Sequence, residues 1–398
     1  MEAFQYTILL IIMLYTLYMA GLIIRKTGRF KSVACIVAIS VFTFNEGLRY
    51  GRGIDYNLYG IDYEKLQSGY EIEQDWGMLV IEKALVFFDM PWQVCVILMS
   101  FVFILGVICL MNNFRTVLPY ALPLFVLFSF IKAENMVRWY LGFSIFLIGF
   151  SYQLKNTEVK KISAKFVFLS ILGCIIHTAL IPIPILFYLI NFKKSIIIKP
   201  WYSIAFFILI TFFFRTEMML NFTNIANTLV SLSDKYQNIY GNVVEEHLTG
   251  GYAGAEINPF PGSGEFALFC VLIYVGYYSI RNMGHAFICA YNLFLIGFLS
   301  WPIGHQIELA SRYNATFFFF GGIVLGTIIY SLWDKKELRY SPIFKLLIAL
   351  IFLNYGRQIL SLPFQNNHPN FYLYIWNKGD KTYDKLYDEW YDFVKYGK

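Results

Sequence analysis

The feature that most constrains this chain is a set of long, uninterrupted apolar runs, among them YTILLIIMLYTLYMAGLII (6–24) and FFFFGGIVLGTIIYSLW (317–333). Such runs match the roughly 20 residues that a helix needs to cross about 30 Å of hydrocarbon. Backbone polar groups in lipid find no water, so only helices and closed barrels can span it. Barrel strands alternate polar and apolar residues, and these runs do not. Composition agrees. The chain has 398 residues, 58% of them hydrophobic and only 15% charged, where a soluble domain carries about 25% charged residues. The expected fold class is all-α, a polytopic integral membrane helical bundle.

Apolar runs predict about 12 spans (range 10–13), near 4–24, 32–48, 91–111, 117–132, 138–155, 159–177, 178–192, 201–217, 265–281, 284–303, 312–333 and 341–360. The boundary at His177 is drawn because Pro182 and Pro184 disturb a continuous helix. It also places four basic loops, 25–31, 155–165, 193–199 and 334–339, on one side. Short basic loops mark the cytoplasm, so both termini are expected to face outward, with the outer loops 45–90 and 218–264. Within the first of these, WGMLVIEKALVFFDM (76–90) reads as an amphipathic helix lying at the interface. The organisation is one transmembrane domain over 1–360 and an outer amphipathic cap over 361–398. The first apolar run lacks a basic n-region and a small-residue cleavage site, so no cleavable signal peptide is expected.

Six cysteines lie inside apolar runs, with no CxxC and no Cys/His spacing. They read as small core hydrophobes, and neither a disulfide framework nor a zinc site is expected. There is no acidic DxD pair for a hard metal and no Gly-rich nucleotide loop, so no metal, no other cofactor and no nucleic-acid partner is expected.

Polarity gathers instead on the side predicted to face outward. The stretch NEGLRYGRGIDYNLYGIDYEKL (45–66) follows the second span. Lys132, Glu134 and Arg138, then His177, then Arg215 and Glu217, then His305, Glu308 and Arg312 reach the same side. An ionisable residue at a helix centre costs about 2.5–3.5 kcal/mol on insertion scales, so this convergence asks for a reason. A single arginine at a helix end often only snorkels to headgroups, and interfacial tyrosines usually form a belt; the convergence of five segments is the argument. The set suits an anionic group. Arg49, Arg52, Arg138 and Arg312 can each donate paired hydrogen bonds to phosphate oxygens. Gly51 and Gly53 permit a sharp turn. Tyr50, Tyr56 and Tyr59 offer flat faces to sugar rings. His177, Asp55 and Glu308 are candidate general bases, and Asp55 is also a candidate partner for an arginine.

The segment FNEGLRYGRGIDYNLY resembles the EpsG family of exopolysaccharide polymerases, a Wzy-like branch of the O-antigen-polymerase group. The family's Arg-Tyr-Gly-x-Gly-x-Asp-Tyr element matches Arg49, Tyr50, Gly51, Gly53, Asp55 and Tyr56. Arg138 opening a span, His177-Thr178 in IIHTALI and Arg312 in SRYNATFFF match later positions, and the order agrees over about 40–330. The resemblance implies a GT-C-like polymerase/ligase architecture in the bacterial cytoplasmic membrane, with its active site on the extracytoplasmic side. It implies polymerisation of undecaprenyl-pyrophosphate-linked repeat units into O-antigen, capsular or exopolysaccharide, without metal or nucleotide. The implied partners are lipid-linked glycan donor and acceptor, membrane lipid and a chain-length regulator. Two alternatives stay open on the residues alone. A flippase for lipid-linked sugars would suit the span count, and a membrane glycan O-acyltransferase would suit a histidine within a span.

Overall fold

The computed structural model describes residues 2–28, 32–155, 161–192, 197–213, 263–304, 308–334 and 373–396, with a few positions between 342 and 353. Arg215, Glu217, His305, most of the predicted span 341–360 and most of the loop 218–264 lie outside the described residues. The described part is helical: α1 (Glu2–Thr27), α2 (Val33–Gly47), α3 (Ile54–Gln67), α4 (Trp76–Phe87), α5 (Trp92–Met111), α6 (Leu118–Asn135), α7 (Val137–Lys155), α8 (Ala164–Ile176), α9 (Pro182–Phe192), α10 (Pro200–Phe213), α11 (Ser263–Ile280), α12 (His285–Gly304), α13 (Glu308–Phe318), α14 (Gly321–Trp333) and α15 (Tyr383–Tyr396).

Four stretches among the described residues are long and apolar enough to cross a membrane: Phe4–Thr27, Trp92–Phe114, His285–Pro302 and Ala310–Trp333. Val33–Gly47, Ala164–Ile176, Thr178–Asn191, Pro200–Thr211 and Phe269–Ile280 are apolar but shorter. This is a multi-pass membrane protein.

Local chemistry sets the boundaries. Ser32 caps α2, its hydroxyl accepting from the Cys35 amide at 3.3 Å. His177 leaves the helix with φ −146° and ψ 102°, and a short 3-10 turn, Thr178–Leu180, leads into α9. Pro182 and Pro184 fall in the first turn of α9, where missing amides cost nothing. The prolines therefore start a helix after the break. The run 312–333 is interrupted where Phe319 and Phe320 form a turn between α13 and α14. There the amide of Phe320 bonds to the Phe317 carbonyl at 3.2 Å, a three-residue closure that tightens the helix locally.

Aromatic side chains and close backbone approach hold the bundle. Lipid is as apolar as the helices, so packing rather than water release joins them. Phe146 meets Phe187 edge-on at 4.8 Å, and Phe150 meets Phe187 at 5.0 Å; each such pair adds about 0.5–1.5 kcal/mol. At the α7–α8 crossing, a Cβ on Gly142 would stand 2.7 Å from the Gly173 carbonyl oxygen, and one on Gly173 2.6 Å from that of Gly142. Any larger residue at either position separates the two helices that carry Arg138 and His177.

Helix direction sorts charge between the two ends. The start of α1, the ends of α2, α6 and α8, and the starts of α5, α7 and α13 share one end with α3, α4 and α15. At the opposite end Arg25 pairs with Asp334 at 2.6 Å, and Tyr120 donates to the same carboxylate at 3.1 Å.

Candidate functional site

The segment Arg49–Gly53 is a tight turn between α2 and α3, and Asp55 falls in the first turn of α3. Gly51 has φ +69° and Gly53 φ +103°, a region open to glycine and strained for other residues. A Cβ at Gly53 would lie 2.5 Å from Asn135 Oδ1. That same oxygen accepts from the Asp55 amide at 3.0 Å and closes the N-terminus of α3. Asn57 donates to the Gly51 and Gly53 carbonyls at 3.1 and 2.9 Å. Trp390 of α15 donates to the Gly51 carbonyl at 2.9 Å. Residues 373–375 run antiparallel beside the turn, with Tyr50 donating to the Leu373 carbonyl and Ile375 to the Leu48 carbonyl, both at 3.0 Å.

The four arginines lie at two depths. Arg49 and Arg52 are 3% and 1% exposed. Arg52 Nη1 donates to Glu134 Oε1 at 2.7 Å, and its guanidinium stacks over the rings of Tyr374 and Tyr6 at 4.5 and 4.9 Å. Arg49 donates to the Glu46 carbonyl, to the Glu134 carbonyl at 3.3 Å and to Ser100 Oγ at 3.4 Å. Its Nη1 also stands 3.6 Å from the Glu46 carboxylate. Two guanidinium groups and two carboxyl groups thus close a buried network behind the turn.

Arg138 and Arg312 lie nearer the surface. Arg312 Nη2 is 3.4 Å from Asp55 Oδ2, with side chains 14% and 18% exposed. Arg138 Nη2 donates to Glu82 Oε1 of α4 at 3.1 Å, and its guanidinium lies 3.9 Å over the ring of Tyr59. Asp55 and Tyr59 are one turn apart on α3, so both arginines converge on one helix face. Glu82 is fully buried. Burial pushes its carboxyl above the usual range, opposed by Arg138 and by the Gln74 amide.

His177 joins this face through Trp139, whose ring meets the imidazole edge-on at 5.2 Å. Trp139 Nε1 donates to Thr316 Oγ1 at 2.9 Å, and Thr316 donates to the Arg312 carbonyl at 2.9 Å. Asp75 completes the arrangement. It precedes α4 as its N-cap but makes no side-chain capping bond. Its carboxylate instead accepts from Thr178 Oγ1 at 2.8 Å and lies 3.7 Å from His177 Nδ1. A carboxylate beside Nδ1 biases which ring nitrogen carries the proton.

The tyrosines separate as well. Tyr50 and Tyr56 are buried against α15, with Tyr383 at 5.0 and 6.3 Å. Tyr56 donates to the Arg49 carbonyl at 3.0 Å. Tyr59 lies under the Arg138 guanidinium. Glu308 opens α13, but its side chain lies outside the described residues. Among the described residues no group of three or more His, Cys, Asp or Glu could hold a metal ion.

Sequence reasoning singled out Asp55, Arg138, His177 and Arg312, which a chain of contacts through Tyr59, Trp139 and Thr316 connects, and passed over Asp75 and Trp139. Asp75 is legible only as an acidic residue just before a predicted helix. Nothing in Trp139 foretells that it links His177 to the Arg312 helix.

The comparison with curated proteins and that with solved structures give no match. The EpsG family model matches residues 31–375, most of the chain, and takes in the turn, the four arginines and His177. The chain therefore belongs to the EpsG family, whose members are Wzy-like polymerases.

Proposed function

We propose that this protein is a membrane glycosyltransferase that polymerises undecaprenyl-pyrophosphate-linked oligosaccharide units at the extracytoplasmic face. Family membership supplies the reaction class. The observation that carries the site is the contact chain that joins Arg138, Arg312, Asp55 and the Asp75–His177 pair at one end of the bundle. Helices reach the opposite end with Arg25, Lys155, Lys165 and Lys199 near their termini, and such basic ends favour the cytoplasm.

In this reading Arg138 and Arg312 exchange Glu82 and Asp55 for the two phosphates of the donor. Guanidinium groups stay charged at any working pH, and fixed cations stabilise a leaving group whose charge grows in the transition state. His177, oriented by Asp75, takes the proton of the acceptor sugar hydroxyl. That oxygen attacks the anomeric carbon of the donor glycan, and undecaprenyl pyrophosphate departs. Released from Arg312, Asp55 is the second candidate base. Arg49 and Arg52 act one layer back, holding the turn that presents Asp55.

Deletion of the gene in its native host, followed by analysis of lipid-linked glycans, tests the reading. The expected result is loss of polymer with accumulation of single lipid-linked units accessible from outside. Accumulation confined to the inner leaflet would transfer the reading to a flippase.

A further inference from the structure

The family match ends at residue 375, yet the chain continues into α15, and α15 is built onto the turn and onto α3. Leu386 packs where a side chain on Gly51 would stand, its Cδ1 2.4 Å from that Cβ position. Tyr383 fills the space above Gly60, its ring 2.7 Å from the Cβ position there. Trp390 bonds the turn itself. These three side chains lie on one helical face, and they fix α15 antiparallel to α3.

The neighbouring face of α15 carries Tyr387 and Tyr391, one turn apart. Their rings stack at 6.2 Å and an interplanar angle of 23°, and both are half-buried. Tyr387 follows Leu386 on the helix docked against the turn that leads into Asp55, and the Asp55 charge bears on its hydroxyl. The rings first expected to receive sugars are otherwise engaged: Tyr50 and Tyr56 are covered by α15, and Tyr59 lies under a guanidinium. A stacked, half-buried pair on the helix that covers the turn has the form of a sugar subsite. It offers apolar ring faces to the C–H face of a pyranose, with hydroxyls at the rim for its polar edge.

We propose that Tyr387, backed by Tyr391, receives a sugar ring of the lipid-linked unit beside Asp55, so that the segment beyond the family match contributes to the choice of repeat unit. This inference rests on the polymerase reading.

The test uses the native host lacking the gene, complemented with the wild-type chain, Tyr387→Ala, Tyr387→Phe or Tyr391→Ala. Polymer, lipid-linked single units and membrane-inserted protein are all quantified. With wild type restoring polymer, the expected result is a loss of polymer per inserted protein of about 5- to 10-fold in Tyr387→Ala, with single units accumulating. Tyr391→Ala should lose less, and Tyr387→Phe should stay near wild type because the ring is retained. Undiminished polymer in Tyr387→Ala overturns the subsite and leaves the polymerase reading standing. So does a loss that merely tracks reduced protein, or an equal loss in Tyr387→Phe. A deletion strain that neither loses polymer nor accumulates single units overturns both.

Discussion

Two pairs of arginines occupy the same end of this bundle and are built for different tasks. Arg49 and Arg52 are sealed from solvent, matched to Glu46 and Glu134 and packed between tyrosine rings. Arg138 and Arg312 keep an edge toward solvent, and each leans on a carboxylate from a separate element, Glu82 of α4 and Asp55 of α3. A buried pair that loses one member leaves a bare charge in a low-dielectric interior, so the inner pair belongs to the architecture of the turn. The Arg312–Asp55 pair, with side chains 14% and 18% exposed, reaches solvent, so exchange of its partner for an incoming anion leaves no charge sealed in the interior. One residue type, at one end of one protein, thus sits in a sealed network and in shallower ion pairs, and the proposed reading gives only the shallower pairs to the ligand.

The difference can be pressed hardest at His177. His177→Ala should lower polymer formation by about 10²- to 10⁴-fold, the range for removal of a general base, with normal membrane insertion. Asp75→Asn should show a smaller loss and a displaced pH–rate profile, because it alters the orienting partner and leaves the imidazole.

The scaffold pair should answer in stability instead. Arg52→Ala leaves Glu134 buried without its cation and should destabilise the protein by about 3–5 kcal/mol. That would be measured as lowered inserted protein or as an earlier thermal transition in detergent. Replacing both residues, Arg52→Met with Glu134→Gln, should recover part of the loss. Gly51→Ala should cost about 1–3 kcal/mol through a strained φ, besides the clash with Leu386. Undocking of α15 would be read as protease sensitivity near residue 383.

The smallest effect concerns Glu82. Its pKa is raised from 4.5 chiefly by burial, so the folded state holds a proton that the unfolded state releases as pH climbs above that value. Its contribution to stability therefore falls as pH rises from 4.5 through the raised pKa, and Glu82→Gln should flatten that part of a thermal-shift profile. Below the raised pKa Arg138 also loses its ionised partner.

Much of this was legible in the chain. Apolar runs give the helices, and Pro182 and Pro184 mark the break that frees His177 from a helix. The clustering of Arg49, Arg138, His177 and Arg312 near run ends places them at one end of the bundle. The turn at Phe319–Phe320 was hidden, because four phenylalanines read as one continuous apolar run. Depth was hidden too. Arg49 and Arg52 sit three residues apart in a motif that looks uniformly exposed, and only the crossing of α1, α6 and the 373–375 segment buries them. The partners Glu134, Glu82 and Asp75 come from distant elements, and no local spacing announces them. The tail reads as amphipathic, but its docking onto Gly51 depends on a tertiary fit that no periodicity encodes.

The most direct test measures polymer per inserted molecule for Arg312→Ala beside Arg52→Ala. Arg312→Ala should insert at the wild-type level and make no long polymer. Arg52→Ala should insert poorly, while the molecules that do insert retain activity. Normal polymer length from Arg312→Ala, or a normal level of Arg52→Ala protein that is inactive, would contradict the division of the arginines by depth.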